Sequence, residues 1–175
     1  MFADNELMTI IDEVDVLVAE IRELSAEGPH FRILHRLHEP GSNCAPGEEV
    51  AGIYLVYRSR EYILRLPLAL RLLFDFLARH THLPQSATQI EAGIRADRFY
   101  TQHAAAVMGN KKFTRSISRS SVRVYIERLR SALEDAFLEA GLLMDAHAVV
   151  VAEETVMNAV GYRLRGNFQW VHIDF

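Results

Sequence analysis

The stretch SVRVYIERLRSAL, residues 121–133, decides the fold of this chain. Its apolar residues recur at steps of four, three and four, and Phe137 continues the series four residues later. This spacing predicts an amphipathic helix with one apolar stripe packed on a core. The stripe consists of Val122, Ile126, Leu129, Leu133 and Phe137. The opposite arc, which we expect to face solvent, holds Ser120, Arg123, Val124, Glu127, Arg128 and Ser131.

The chain leading into this helix is strongly basic. Between Gly109 and Arg130 there are seven basic residues and one acidic residue, a net charge of +6. Such an excess suits phosphate contact because each neutralised phosphate releases counterions, and Arg beside a methyl-bearing Val can contact base edges and a thymine methyl. A solvated helix face is the alternative interpretation. The candidate DNA contacts are Lys111, Lys112, Arg115, Arg119, Ser121, Arg123, Val124, Glu127 and Arg128.

Three motifs, in this order along the chain, resemble the OmpR/PhoB-type winged-helix DNA-binding domain. The family's first-helix pattern, LTxxExxLLxxL, is repeated in part by Leu66, Leu73, Phe74 and Leu77. Pro67 and Leu70 stand in place of its Thr and Glu. SVRVYIERLRSAL is similar to the recognition-helix signature TVDVHIxxLRxKL, and VMNAVGYRL at 156–164 is similar to the wing sequence TVRGVGYRL. The resemblance covers about residues 53–165.

The resemblance implies an α+β winged helix-turn-helix domain with an N-terminal antiparallel sheet and a C-terminal wing hairpin. It also implies a transcriptional regulator that binds double-stranded DNA in a sequence-specific manner, with the recognition helix in the major groove. When the wing motifs are aligned, the family's minor-groove Arg falls on Asn158 and its turn Gly on Ala159. Asn158 and Arg163 are therefore the expected wing contacts with DNA.

An insertion precedes the recognition helix. A second helix is expected near 86–94, and residues 95–118 then form a connection longer than the loop with which the resembled family can contact RNA polymerase. We expect a short helix of its own at about 97–108. Gly141, after the recognition helix, is expected to cap its C-terminus.

The charge is distributed unevenly. Residues 1–52 carry eleven acidic and three basic residues, net −8, whereas residues 53–175 carry sixteen basic and twelve acidic residues, net +4. Only the second part gains from approaching phosphates. We divide the chain into an N-terminal amphipathic helix at 1–28, a connecting segment at 29–52 and the winged-helix domain at 53–175.

Smaller patterns predict strands. Apolar runs on either side of residues 58–60 predict a hairpin, and the alternation in FQWVHIDF predicts a final strand that extends the wing sheet or pairs across a dimer. Within 31–37, apolar residues alternate with Arg32 and Arg36, which fits either a short strand or a helical turn.

The N-terminal helix carries almost three heptads. Its a and d positions are Leu7, Ile10, Val14, Leu17, Ile21 and Leu24. This seam favours a parallel two-stranded coiled coil, and regulators commonly read paired half-sites, so we expect a homodimer. The e positions Ile11, Val18 and Ser25 widen the stripe, which favours docking on a globular body instead. The g positions Glu6, Glu13, Glu20 and Glu27 are all acidic, and Gly28-Pro29 ends the helix in either case.

Other classes of protein find little support. Some fifty residues precede Ile53, too few for a receiver domain, so no phosphorylation input of that kind is expected. The longest apolar run, 63–78, is broken by charges and predicts no membrane span. Cys44 is the only cysteine, which excludes an intrachain disulfide scaffold and, with no secretory signal apparent, is most consistent with the cytoplasm.

Enzymatic chemistry is not expected either. The histidines at 30, 35 and 38 and at 80 and 82 have no recognised metal-ligand spacing and are interpreted as surface or packing residues. No phosphate-binding glycine loop, nucleophile elbow or paired-carboxylate motif is present in the sequence, so we expect no catalytic residues, metal or cofactor. The first hypothesis is a dimeric transcription regulator. The alternative is a winged-helix protein adaptor that acts through its acidic N-terminal helix.

Overall fold

The computed structural model describes residues 28–37, 48–97 and 118–173, which form an α+β fold with four helices and two sheets. In chain order the elements are β1 (His30–Leu37), β2 (Glu48–Tyr57), β3 (Arg60–Ile63), α1 (Leu68–Arg79), β4 (Gln85–Ser86), α2 (Ala87–Ala96), α3 (Val122–Glu139), α4 (Ala146–Val149), β5 (Val150–Glu154), β6 (Val160–Leu164) and β7 (Asn167–Ile173). The heptad positions, the helix expected at about 97–108, and Lys111, Lys112 and Arg115 lie outside the described ranges.

One sheet has four strands in the order β3-β2-β1-β7. β1 and β2 are antiparallel, as are β2 and β3, whereas β7 runs parallel to β1. The expected hairpin is confirmed: β2 and β3 are joined by Arg58 and Ser59, whose φ angles of 50° and 59° are those of a tight two-residue turn. Arg60, expected in the turn, is the first residue of β3.

Two expectations about this sheet are wrong. The segment 29–52 is no mere connection, because it supplies β1 and the beginning of β2, and Phe31, Ile33 and Val50 are buried. The boundary at 53 therefore falls inside a strand. β7 is indeed a strand, but it pairs with β1 and does not extend the wing sheet. Its Phe168 ring stacks on Phe31 at 5.7 Å, so burial against the core determines which strand it joins.

The second sheet has the order β4-β6-β5. Its main part is the hairpin β5–β6, which follows α3 and α4, and β6 also pairs with the two-residue strand β4 just before α2. Ser86 ends β4 and begins α2 as its N-cap, and it forms a reciprocal capping box with Gln89. The helix α2 is thereby attached to the beginning of β6, close to the turn of the hairpin.

The helices α1, α2 and α3 pack around one core between the two sheets. α1 buries Leu73, Phe74 and Leu77, three of the positions matched to the first-helix pattern. α3 ends before Gly141, whose φ of 67° is readily adopted by glycine, so the expected C-cap is confirmed. Among the helices of the described ranges, none combines the length and apolar composition needed to cross a membrane.

Candidate nucleic-acid interface

The two faces of α3 are arranged as the sequence predicts. All five residues of the apolar stripe are buried, with at most 1% of their surface exposed. The opposite arc is exposed, including Arg123, Val124, Glu127 and Arg128. Val124 is 51% exposed although it is apolar. Two guanidinium groups and an isopropyl group therefore lie together on the N-terminal half of a rigidly packed helix.

The side chain of Arg128 is held by an aromatic ring. Its guanidinium carbon lies 5.9 Å from the ring centroid of Tyr125, which is half-buried. An Arg over an aromatic face gains cation–π attraction and loses rotamer freedom. Such pre-organisation lowers the entropy cost of a two-point contact with a base or a phosphate.

The turn before α3 is fixed by hydroxyl groups. Ser121 Oγ donates to the carbonyl of Ser118 at 2.9 Å and accepts from the backbone N–H of Ser118 at 2.9 Å. The hydroxyl of Ser121 is therefore occupied in shaping the turn. Arg119, which follows Ser118, donates its backbone N–H to Glu91 Oε2 at 3.1 Å. This hydrogen bond connects the turn to α2.

A groove of about 610 Å³ lies beside this turn. It is bordered by Arg119, by the first residues of α2 and by the turn of the β5–β6 hairpin. The hairpin approaches closely at Gly161, where an added Cβ would lie 2.5 Å from the Thr155 side chain and 3.1 Å from the Pro84 carbonyl carbon. Glycine in the GYRL motif is thus required by the contact between β6 and the segment before α2.

The tip of the hairpin is apolar. Val156 and Met157 are 94% and 89% exposed, and Val160 is 62% exposed. The residue with a left-handed backbone is Asn158, with a φ of 54°, rather than Ala159, to which the alignment with the family assigned the turn glycine. Asn158 is exposed, but it lies among apolar neighbours in a stretch, 155–160, that contains no basic residue.

Arg163 is bound within the hairpin. Its Nη2 donates to Glu153 Oε1 at 2.7 Å, and Arg165 Nη2 donates to the same oxygen at 2.6 Å. The hydrogen bond from Arg163, followed by that from Arg165, holds the pKa of the Glu153 carboxyl below its ordinary value. Arg163 would have to leave this ion pair to contact DNA with the same group.

Arg130 is not part of the basic surface, although it belongs to the basic stretch. It is 7% exposed, and its Nε and Nη2 donate to the carbonyl of Val150 at 3.1 and 2.7 Å. Its Nη1 donates to Glu127 at 2.8 Å. Arg130 lies four residues after Ile126, at the edge of the apolar stripe, and that position is the sequence signal for its burial. It joins α3 to the start of the hairpin.

Sequence reasoning also missed a buried polar cluster. His35 is fully buried, and its Nε2 lies 2.9 Å from Asp75 Oδ1. Arg79 Nε donates to Asp75 Oδ2 at 3.0 Å. The interpretation of His35 as a packing residue is confirmed, but its carboxylate partner comes from α1, forty positions along the chain. Asp75, the one acidic residue in the apolar sequence LALRLLFDFLAR, was the available signal.

A group with metal-ligand chemistry lies at the other end of α3. Among the described residues, Glu134, Asp145 and His147 place one ligand atom each within 4.8 Å of one another, and all three are exposed. Asp145 already accepts the backbone N–H of His147 at 2.8 Å, as the N-cap of α4. That hydrogen bond gives the group a structural role.

Comparisons with family models, with curated proteins and with solved structures found no match to this chain.

Proposed function

We propose that this protein is a sequence-specific DNA-binding transcriptional regulator of the winged-helix class, related to the OmpR/PhoB type, which reads duplex DNA with α3. The observation that carries the proposal is the exposed arc of α3. The side chains of Arg123, Val124 and Arg128 are exposed on one side of this helix, and the opposite side is completely buried. The helix can therefore enter a major groove as a rigid body.

The order of the elements supports the winged-helix assignment. Three helices pack together, a short strand precedes the second helix, and a hairpin follows the third and pairs with that strand. This order agrees with the three sequence motifs, which fall on α1, α3 and the hairpin. The hairpin then corresponds to the wing.

In this mechanism α3 contacts the bases, and residues next to α3 contact the phosphate backbone of the DNA. Arg128, positioned by Tyr125, would form a two-point contact with guanine, and Val124 would meet a thymine methyl. Arg119 borders the groove between α2 and the hairpin, where a phosphate strand would pass. A homodimer that reads two half-sites, and a contact with RNA polymerase, complete the proposal.

The apolar hairpin tip favours a second candidate, a winged-helix protein adaptor. Exposed Val156 and Met157 would suit a protein partner better than phosphates, and the whole chain carries a net charge of −4. The adaptor would also use the acidic N-terminal helix as a working surface. It predicts no affinity for duplex DNA.

Selection of bound duplexes from a random pool tests the first proposal. We expect the wild type to enrich one motif, and two spaced copies of it if a dimer binds. Arg123→Ala/Arg128→Ala should enrich none, whereas Arg60→Ala, which removes an exposed Arg from β3, should behave as the wild type. On the selected site, Arg128→Ala alone should cost about 1–3 kcal/mol of binding free energy.

A salt series on a random duplex separates the two candidates. The affinity of a DNA-binding protein falls steeply as the salt concentration rises, because counterions compete for the phosphates. If the wild type shows no binding even at low salt, the regulator proposal fails and the adaptor stands. If Arg128→Ala retains wild-type affinity for the selected site, the assignment of base reading to Arg128 is wrong.

A further inference from the structure

The four-stranded sheet has a second face, which points away from the core. Alternation along β1 places Phe31 and Ile33 in the core, each with at most 3% exposed, and the residues between them on the other side. We call this other side the outer face. From the strand registers it carries Arg32, Leu34, Arg36, Tyr54, Val56, Glu61, Ile63, Gln169, Val171 and Ile173.

A continuous apolar band crosses the outer face. Ile63, 50% exposed on β3, lies opposite Tyr54. The Tyr54 ring leans over Gly52, with a ring carbon 3.0 Å from where a Cβ of Gly52 would stand. Gly52 pairs with Leu34, and Leu34 pairs with Val171 on β7. The band therefore spans all four strands, and it includes one polar group, the Tyr54 hydroxyl, which lies 3.4 Å from the same Cβ position.

Basic side chains border the band along β1. Arg32 lies two residues before Leu34 and Arg36 two residues after it, so all three side chains share one face of β1. Arg32 forms an ion pair with Glu61 and donates to Gln169 at 3.1 Å, which fixes its guanidinium beside the band. A partner with an apolar stripe and an acidic edge would match this surface in both respects.

The N-terminal segment 7–24 has that pattern. Its apolar stripe includes the e positions as well as a and d, and its g positions are all Glu. Residues 1–27 hold eight acidic residues and one basic residue. As a helix, residues 7–24 would be about 27 Å long, and the eight-residue strand β1 is about 26 Å long. Only the five residues 25–29, which end in Gly28-Pro29, separate the segment from β1.

We propose that residues 7–24 dock as a helix on the outer face of their own chain, with the apolar stripe on the band and the acidic edge beside Arg32 and Arg36. The five-residue connection makes the contact intramolecular and gives it a high effective concentration. Docking also accounts for the apolar e positions, which a two-stranded seam does not need. The proposed regulator would then dimerise through another surface.

Paramagnetic broadening tests this arrangement in the full chain. Cys44→Ser removes the only cysteine, and Ala19→Cys, at an f position away from the stripe, carries a nitroxide. We expect broadening of the methyl resonances of Leu34 and Val171, and none for Val156 at the tip of the β5–β6 hairpin. In a mixture of nitroxide-labelled chains and separate isotope-labelled chains, the same methyl groups should keep their line widths.

Matched substitutions test each side of the contact. Val18→Glu places a charge at an e position, outside the a/d seam, and should abolish the broadening, whereas Ala26→Glu at an f position should leave it unchanged. Ile63→Glu, on a half-exposed edge strand, should abolish it without unfolding the domain. Broadening in the mixed sample would overturn the proposal in favour of a second copy. An absence of broadening in both samples would overturn docking altogether.

Discussion

Arg130 offers the sharpest test of how α3 is joined to the hairpin. Its guanidinium is almost completely buried and donates twice to the carbonyl of Val150, the first residue of β5. Arg130→Met retains an unbranched apolar stem but removes every donor. The Val150 carbonyl then lacks the donors that bind it, in a part of the chain where Val150 itself is fully buried.

The expected cost follows from these contacts. A hydrogen bond from a charged group contributes about 1.5–3 kcal/mol, and because both donors serve one carbonyl we count them as a single interaction. The ion pair with Glu127, whose side chain is 53% exposed, adds less than about 1 kcal/mol. We therefore expect Arg130→Met to lower the free energy of unfolding by about 2–3 kcal/mol.

Urea denaturation followed by circular dichroism measures this loss. With a urea dependence of about 2 kcal/mol/M, the midpoint should fall by about 1–1.5 M. Arg123→Met is the matched control, because it makes the same substitution at an exposed position of the same helix. It should change the unfolding free energy by less than about 0.5 kcal/mol.

In DNA binding the order of the two variants should be reversed, with the larger loss of affinity for Arg123→Met. Arg123→Met should weaken binding to a selected duplex while the protein stays folded, whereas Arg130 contacts no DNA in the proposed mechanism. Wild-type stability of Arg130→Met would refute the reasoning, since it would mean that the buried guanidinium does not anchor the hairpin. Equal losses of stability for both variants would show that burial does not distinguish the two side chains.

Three further predictions concern the core, a helix end and the hairpin. Phe137→Ala, at a position 1% exposed beside Phe31, should lower the unfolding free energy by about 3–5 kcal/mol in the same assay; a loss below about 1 kcal/mol would contradict the core described above. Gly141→Ala should cost about 1–2 kcal/mol, all of it from the positive φ of 67°, because the added Cβ meets nothing within 4 Å. Because Arg163 and Arg165 lower the pKa of Glu153 from 4.5, the stabilisation it provides should be present at neutral pH and disappear as the pH falls through the folded-state pKa. The stability gap between wild type and Glu153→Gln should therefore narrow as the pH falls below the ordinary range of a Glu carboxyl, and a constant gap would contradict the ion pair.

The local pattern predicted α3 well because a helix needs only its own residues to satisfy its backbone. The stripe of α3 is buried at every predicted position, and Gly141 ends the helix as expected. The β2–β3 hairpin was also readable, since its strands are neighbours in the sequence and are joined by two residues. For these elements the periodicity and the turn are properties of short segments.

Pairings between distant segments could not be read in this way. The alternation in 168–175 indicated a strand, but a strand's alternation does not identify its partner, and β7 joined β1 rather than the wing sheet. The spacing around His35 indicated no carboxylate partner, yet His35 contacts Asp75, forty positions along the chain. Arg130 and Arg128 are two positions apart and look equally basic, but one is buried and the other exposed.

The sequence by itself determined that residues 122–137 form a helix, which face of that helix is apolar and how charge is divided between the two parts of the chain. These properties depend on the order and spacing of neighbouring side chains. Only the tertiary structure decided which cations remain on the surface. Arg130 binds a carbonyl of β5 and Arg163 binds Glu153, whereas Arg123 and Arg128 lie exposed on the outer arc of α3. The physical reason is that burial and ion pairing depend on what the fold brings opposite each side chain, and a charge is available to a ligand only where the fold leaves it in water.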